Sequence, residues 1–214
     1  MDSITYPALF WLFMLGSILG TLIEGSFCLI RHGRWETHTG ALWGPFCIIY
    51  GIGAVILYVG AVLCESMPIS GQFAVFATAT TMVEYISGLL LRHGIHMKAW
   101  DYSGCALNLQ GLICIKMTVT WGVLGVLFAK YCVPYIKIAI KMISSALVQV
   151  ITYISSILMA LNLFLTMFCI VRWSRRHRGY PPRNRVEKYF DIKYDDEWMK
   201  HRFCEWQFLD AYSN

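Results

Sequence analysis

Charged side chains are scarce in this sequence. Asp, Glu, Lys and Arg make up 14% of its 214 residues, whereas roughly a quarter of the residues in an ordinary soluble domain are charged. Hydrophobic residues reach 57%, so a soluble fold of this length would lack the charged surface that it needs. The composition therefore excludes an ordinary soluble domain and indicates that lipid covers most of the surface.

Several motifs with a known chemistry are also missing. No GxxxxGK[ST] run is present, so we do not expect the chain to bind ATP through a P-loop. Neither GxSxG nor HExxH occurs. The eight cysteines include no CxxC pair, which favours buried thiols over disulfides or a zinc site. We expect no metal and no cofactor, and we interpret the six histidines as interface residues.

Long apolar runs are abundant, and each is close to the roughly 20 residues that cross a hydrocarbon core as a helix. They predict spans at about Pro7–Ile30, Pro45–Cys64, Phe73–Leu91, Gly111–Phe128 and Gln149–Val171. Before the last run, Lys137 and Lys141 share one helix face, which is typical of an interfacial amphipathic helix. The alternative divides Tyr131–Trp173 into two short spans. We expect an all-α polytopic transmembrane helical bundle, with about five spans plus an interfacial amphipathic helix.

The charges divide the chain into a transmembrane bundle, residues 1–173, and a basic and aromatic tail, residues 174–214. A basic run from Arg172 to Lys188 favours anionic lipid headgroups as partners. Nucleic-acid binding would need a folded basic face with groove or stacking elements, and the sequence shows none.

Basic residues also predict the orientation. They follow the first span at Arg31 and Arg34 and the third at Arg92 and Lys98. Five spans place these loops and the tail on one side, which should be the cytoplasm of a multi-pass cell-membrane protein. Three lysines then fall outside and count against this orientation; they are Lys130, Lys137 and Lys141.

Two carboxylates lie inside apolar runs. Glu24 shares a helix face with Gly16 and Gly20, and Glu84 shares one with Gly88. Small residues let a neighbouring helix approach closely, and an ionisable residue in a span is a candidate functional group. The two carboxylates could share a proton or bind a cation.

More ordinary explanations exist for these carboxylates. Glu24 could reach headgroup water from the helix end. Each carboxylate could also pair with a basic residue such as Lys116, Arg31 or Arg92.

Two loops combine polar, aromatic and glycine residues next to spans. Residues 40–45 read Gly-Ala-Leu-Trp-Gly-Pro and precede Tyr50, which fits either a re-entrant segment or an ordinary turn. Residues 100–103 read Trp-Asp-Tyr-Ser and precede Asn108. Trp and Tyr are common interface anchors, and Asn108 could cap the fourth span or belong to a binding site.

At these motifs the sequence resembles the Putative ABC-transporter type IV family, the CmpB-like membrane proteins. The resemblance runs from about Gly16 to Asn184 and is carried by Glu24, Gly40–Pro45, Ile49–Ala54, Glu84–Gly88, Trp100–Ser103, Asn108–Cys114, Trp121–Gly122 and Gly179–Asn184. Relatives commonly have Asn-Arg just before the glycine that corresponds to Gly40, where this chain has His38-Thr39. If that arginine is a counter-ion in relatives, Arg34, Lys116 or His38 must replace it here.

The resemblance implies a permease-like, transport-related subunit with a cytoplasm-facing polar site. The candidate binding residues are Glu24, Tyr50, Glu84, Trp100, Asp101, Tyr102, Asn108 and Lys116. The residues expected to shape the backbone are Gly40, Gly44, Pro45, Gly51, Gly88, Gly111, Trp121 and Gly122.

Partners and alternative functions stay open at this point. ATP-driven transport would require a separate ATPase subunit, and a homo-oligomer is a further alternative. Carboxylate acid/base chemistry on a lipid or its headgroup is a second hypothesis. A non-catalytic scaffold or sensor is the third.

Overall fold

The computed structural model describes residues 4–35, 39–140 and 145–209. Its helices are α1 (Tyr6–His32), α2 (Ile48–Leu63), α3 (Ile69–Leu89), α4 (Ile115–Leu127), α5 (Val133–Ile140), α6 (Ala146–His177), α7 (Arg185–Lys193) and α8 (Asp196–Arg202). Its strands are β1 (Met97–Lys98), β2 (Asn108–Leu109), β3 (Ile113–Cys114) and β4 (Gln207–Phe208). The helical membrane bundle expected from the sequence is confirmed.

Four helical segments are long and apolar enough to cross a membrane: Tyr6–Arg31, Ile69–Gly94, Ile115–Ile140 and Ala146–His177. The remaining predicted span corresponds to α2, a shorter apolar helix. It has 16 residues and is therefore about 24 Å long at 1.5 Å per residue. It begins later than the predicted Pro45 because the preceding backbone is bonded elsewhere. The Cys47 amide donates to the Ser17 carbonyl of α1 (2.9 Å), and the Gly40 amide donates to the Phe46 carbonyl (2.8 Å).

The fourth span is longer than the sequence predicted. After α4 the chain passes through a π-helical turn, Phe128–Cys132, directly into α5, so the predicted interfacial helix is a continuation of the fourth helix. The wider π turn just before Pro134 accommodates a residue that lacks an N–H. Lys137 forms an ion pair with Glu65 of the α2–α3 turn (2.7 Å). Lys141 lies outside the described residues, and the interfacial position of α5 stays a prediction.

Glycines set the closest helix contacts. A Cβ at Gly51 of α2 would lie 2.1 Å from the Ser17 hydroxyl of α1, and a Cβ at Gly122 of α4 would lie 2.5 Å from the Phe73 ring of α3. Close approach at small residues is the usual way in which helices pack in a membrane. The bundle therefore contains two tight pairs, α1 with α2 and α3 with α4.

The C-terminal segment folds back onto the bundle. Its side chains join a core with the end of α6 and with the α1–α2 and α3–α4 loops, including Leu42, Met97, Trp173, Met199 and Phe203. We call these two loops the motif loops, because they carry residues 40–45 and 100–103. Strand β4 pairs antiparallel with β1, so that Met97 lies opposite Phe208. Both motif loops and the tail therefore meet at one end of the bundle.

Candidate functional site

The first carboxylate, Glu24 on α1, accepts a hydrogen bond from the Tyr50 hydroxyl on α2. A glycine one turn earlier makes this contact possible, because a Cβ at Gly20 would lie 2.4 Å from the Tyr50 side chain. The small-residue face predicted for α1 thus admits an aromatic side chain with a polar end. Glu24 and Tyr50 are both only partly exposed.

The second carboxylate, Glu84 on α3, meets the loop between α3 and α4. The Tyr102 hydroxyl donates to Glu84 Oε1 at 2.7 Å. Glu84 is 8% exposed, and its other oxygen, Oε2, is buried without a hydrogen-bond partner among the described residues. Burial and the neighbouring Glu84 raise the pKa of Tyr102, and Glu24 adds to the shift. Tyr102 therefore stays a neutral hydrogen-bond donor.

Trp121 on α4 links the two carboxylate–tyrosine pairs. Its ring packs edge-on against Tyr50, with ring centroids 5.9 Å apart. Its indole lies near the Glu84 carboxylate without a well-formed hydrogen bond, so Nε1 is a buried donor that no described residue satisfies. Glu24, Tyr50, Glu84, Tyr102 and Trp121 form what we call the polar cluster.

Three of the candidate residues position the loop that carries Tyr102. Asp101 accepts from Lys98 Nζ (2.7 Å) and from the Ser103 amide (2.9 Å), and these bonds lower its pKa to about 2. The amide group of Asn108 bonds three backbone groups of the same loop. Trp100 donates to the Leu112 carbonyl (2.9 Å). Their polar groups are thus used within the loop.

Backbone geometry explains the glycine of this loop. Gly111 has φ +68°, a conformation that L side chains rarely adopt, and a Cβ there would lie 2.9 Å from Asp101 Oδ1. Its carbonyl accepts from the Tyr102 amide at 2.8 Å. Gly111 therefore fixes the position of Tyr102, whose hydroxyl reaches Glu84.

Lys116 does not join the polar cluster. Its side chain is exposed at the start of α4, and it forms no ion pair within the described part of the chain. The interpretation of Lys116 as a counter-ion for the carboxylates therefore has no contact to support it. His38, another candidate cation, lies outside the described ranges.

The other motif loop is held against the middle of α6. The Leu42 amide donates to Thr166 Oγ1 (2.7 Å), the Trp43 amide donates to Asn162 Oδ1 (3.2 Å), and Asn162 Nδ2 donates to the Trp43 carbonyl (2.9 Å). Irregular backbone is tolerated at membrane depth only where protein groups satisfy it. Side chains of α6 therefore satisfy backbone groups of this loop, and its re-entrant position stays a prediction.

Most of the chain matches one known protein family. The family described as Putative ABC-transporter type IV matches residues 11–167, more than half of the 214 residues. The chain belongs to this family. With four helices able to cross a membrane, it is a membrane protein of a transport-related family. No curated protein and no solved structure matches the chain.

Asn162 and Thr166 of this ABC-transporter type IV chain were not among the predicted site residues. They lie one helical turn apart in α6, one of the four helical segments able to cross a membrane, and this polar i,i+4 pair was the available signal. Trp121 was predicted to shape the backbone, whereas the structure places it in the polar cluster.

A second cluster of charged residues lies beyond the matched residues, at the C-terminal end of α6. The predicted domain boundary at residue 173 falls inside this helix. Arg172 is 2% exposed and contacts Asp191 (2.5 Å) and Glu187 (3.3 Å). Arg176 contacts Asp191 (3.0 Å) and Asp196 (2.7 Å). Part of the basic run therefore pairs within the chain instead of facing lipid.

Residues 4–35, 39–140 and 145–209 contain no group of three or more His, Cys, Asp or Glu side chains that could hold a metal ion. The polar cluster offers two carboxylates, two hydroxyls and one indole N–H. Such groups can move a proton or hold a small cation.

Proposed function

We propose that this chain is the permease-like subunit of a transport system and that the polar cluster binds the transported proton or small cation. The buried Oε2 of Glu84, without a partner in the described chain, supports this proposal most strongly. A carboxylate oxygen in an apolar span is costly unless it is protonated or paired. A proton or a cation from outside would satisfy it.

The orientation belongs to the same proposal. Both motif loops and the tail lie at one end of the bundle, and this end carries Arg92, Lys98 and the arginines of the tail. Lys and Arg concentrate on the cytoplasmic side of membrane proteins. We therefore expect the polar cluster to open towards the cytoplasm of the cell, through the loop that carries Tyr102.

An ATP-driven system would need a second chain. The sequence has no P-loop, and the family name refers to ABC transporters, whose motor would then be a separate ATPase subunit. Purification of the tagged chain in a mild detergent should recover an ATP-binding chain in a fixed ratio, and mass spectrometry identifies it. Recovery of this chain alone would contradict ATP coupling but would not contradict the proposed ion-binding role of the polar cluster.

The two other hypotheses have less support. A scaffold would be expected to pair its buried carboxylates with cations, and Glu84 contacts none in the described residues. A lipid-modifying enzyme would need an apolar tunnel from the site into the membrane. The two described clefts, of about 410 and 400 Å³, are lined by residues outside the polar cluster.

Ion flux in sealed vesicles tests the proposal. Vesicles that contain the chain and its co-purified partner are energised, and pH-, Na⁺- and K⁺-sensitive dyes report uptake. Glu24→Gln and Glu84→Gln should each abolish flux, while the folded protein is recovered in normal amounts.

Glu65→Gln is the matched control, because Glu65 is an exposed carboxylate at the other end of the bundle. It should retain flux. Undiminished flux in the Glu24/Glu84 double variant would remove the polar cluster from the transport path.

A further inference from the structure

A solvent-open cleft lies at the end of α6, beyond the residues that the family matches. Its volume is about 410 Å³, and its polar lining consists of Ser174, Arg175, Arg178, Tyr180 and Arg183. We call it the arginine cleft. Small-molecule sites commonly enclose roughly 300–1,000 Å³, so the cleft has room for a small anion with an attached group.

The Gly-Tyr-Pro-Pro-Arg-Asn turn builds one wall of the cleft. Gly179 has φ +81° and ends α6, and the Tyr180 amide donates to the Arg175 carbonyl (3.0 Å). Asn184 then caps α7 by accepting from the Glu187 amide (2.9 Å). The turn brings Arg183 back beside the last turn of α6, where Arg175 and Arg178 lie.

The positive charge of the cleft is only partly compensated. Arg175 lies 3.6 Å from Glu187, a carboxylate that Arg172 also contacts. Arg178 lies over the Tyr180 ring, 5.5 Å from its centroid, and its Nε donates to the Ser174 carbonyl (3.4 Å). In the described ranges, neither Arg178 nor Arg183 forms an ion pair with a carboxylate.

We propose that the arginine cleft binds a phosphate group. Guanidinium groups bind phosphate through paired, charge-assisted hydrogen bonds, and the cleft brings three of them together with a tyrosine. It lies where the apolar helix α6 reaches its basic end, at the level expected for lipid headgroups. The phosphate belongs either to a soluble ligand or to a phospholipid headgroup, and the proposal does not depend on the polar cluster.

Binding in phosphate-free detergent separates the two sources. The full chain in dodecyl maltoside is titrated with inorganic phosphate by calorimetry. In a second arm it is titrated with phosphatidylglycerol, and native mass spectrometry counts the bound lipids. Tighter binding of phosphate indicates a soluble ligand, and tighter binding of the lipid indicates a headgroup.

Matched arginine variants test the site itself. Arg178→Gln and Arg183→Gln should each weaken binding of the preferred ligand roughly tenfold or more, because each removes a charge-assisted contact. Arg185→Gln removes an exposed charge on α7 outside the cleft and should change binding less than about twofold. Circular dichroism and thermal unfolding check that the variants fold.

Two results would overturn the proposal. One is that neither phosphate nor phosphatidylglycerol binds the unmodified chain. The other is that Arg185→Gln weakens binding as much as the cleft variants do, because the tail would then act as a diffuse basic surface.

Discussion

Asp191→Asn should release the tail from the end of α6. The Asp191 carboxylate joins two arginines of α6, with contacts of 2.5 Å to Arg172 and 3.0 Å to Arg176. The substitution preserves the shape of the side chain and removes its charge. Arg172, which is 2% exposed, would retain only Glu187 at 3.3 Å as a carboxylate partner.

The expected loss follows from the burial of this group. Removal of one partner from a fully buried ion pair costs about 3–5 kcal/mol. Asp191 retains 12% exposure and Glu187 remains in place, so we expect about 2–3 kcal/mol for tail docking. At about 1.4 kcal/mol per factor of ten, the undocked population should rise roughly 30- to 140-fold.

Hydrogen exchange of the detergent-solubilised chain, followed by mass spectrometry, measures that population directly. Under conditions in which exchange follows the opening equilibrium, amides of α7 and α8 should exchange faster by the same factor. Amides of α3 should not change. Glu197→Gln is the control, because Glu197 is an exposed acid of the same tail. The reasoning is refuted if Asp191→Asn accelerates exchange no more than this control.

Three further predictions concern the pH dependence of tail docking, a glycine of α2 and a polar side chain of α6. Burial alone would raise the pKa of Asp191, but hydrogen bonds from its two arginine partners hold it below the usual value. Its contribution to docking is therefore complete above about pH 5 and is lost as the pH falls through the folded-state pKa, which exchange in α7 across pH 3–6 would show. Gly51→Ala should lower thermal stability by about 1–3 kcal/mol, because its Cβ would lie 2.1 Å from a hydroxyl of α1. The control Gly53→Ala should leave thermal stability unchanged, because the space around its Cβ is open. Asn162→Leu leaves both polar backbone groups of Trp43 without their side-chain partner and should cost about 1–3 kcal/mol for each unsatisfied group, measured by unfolding in detergent.

The sequence reveals features that repeat with the helical period. The apolar runs predict the spans because a membrane requires length and hydrophobicity in one continuous stretch. Gly16, Gly20 and Glu24 share a face for the same local reason. The partner of Glu24 is not local, since Tyr50 lies 26 residues away and reaches it only because α1 and α2 pack closely at glycines.

Two predictions were limited by information that the sequence does not carry. The fourth helix passes through the π turn before Pro134, and no periodicity reveals this local change of hydrogen bonding. The sequence does not show that part of the basic run is neutralised by carboxylates, because the acids that pair with Arg172 and Arg176 come 15 to 20 residues later. Only the turn at Gly179 brings these groups together.

The two charged groups of this chain are compensated in different ways. At the tail, two carboxylates of α7 compensate the charge of buried Arg172, although its Nη1 forms no hydrogen bond within the described residues. In the polar cluster, Glu84 is also buried, but it receives one tyrosine hydrogen bond and no cation within the described residues. Apolar surroundings make an ionised carboxylate costly, which supports our proposal that a proton or an external cation completes the site. A side chain that served only to hold α3 and α4 together would more simply be apolar or ion-paired. This contrast, more than the number of carboxylates, favours a ligand-binding role for the polar cluster.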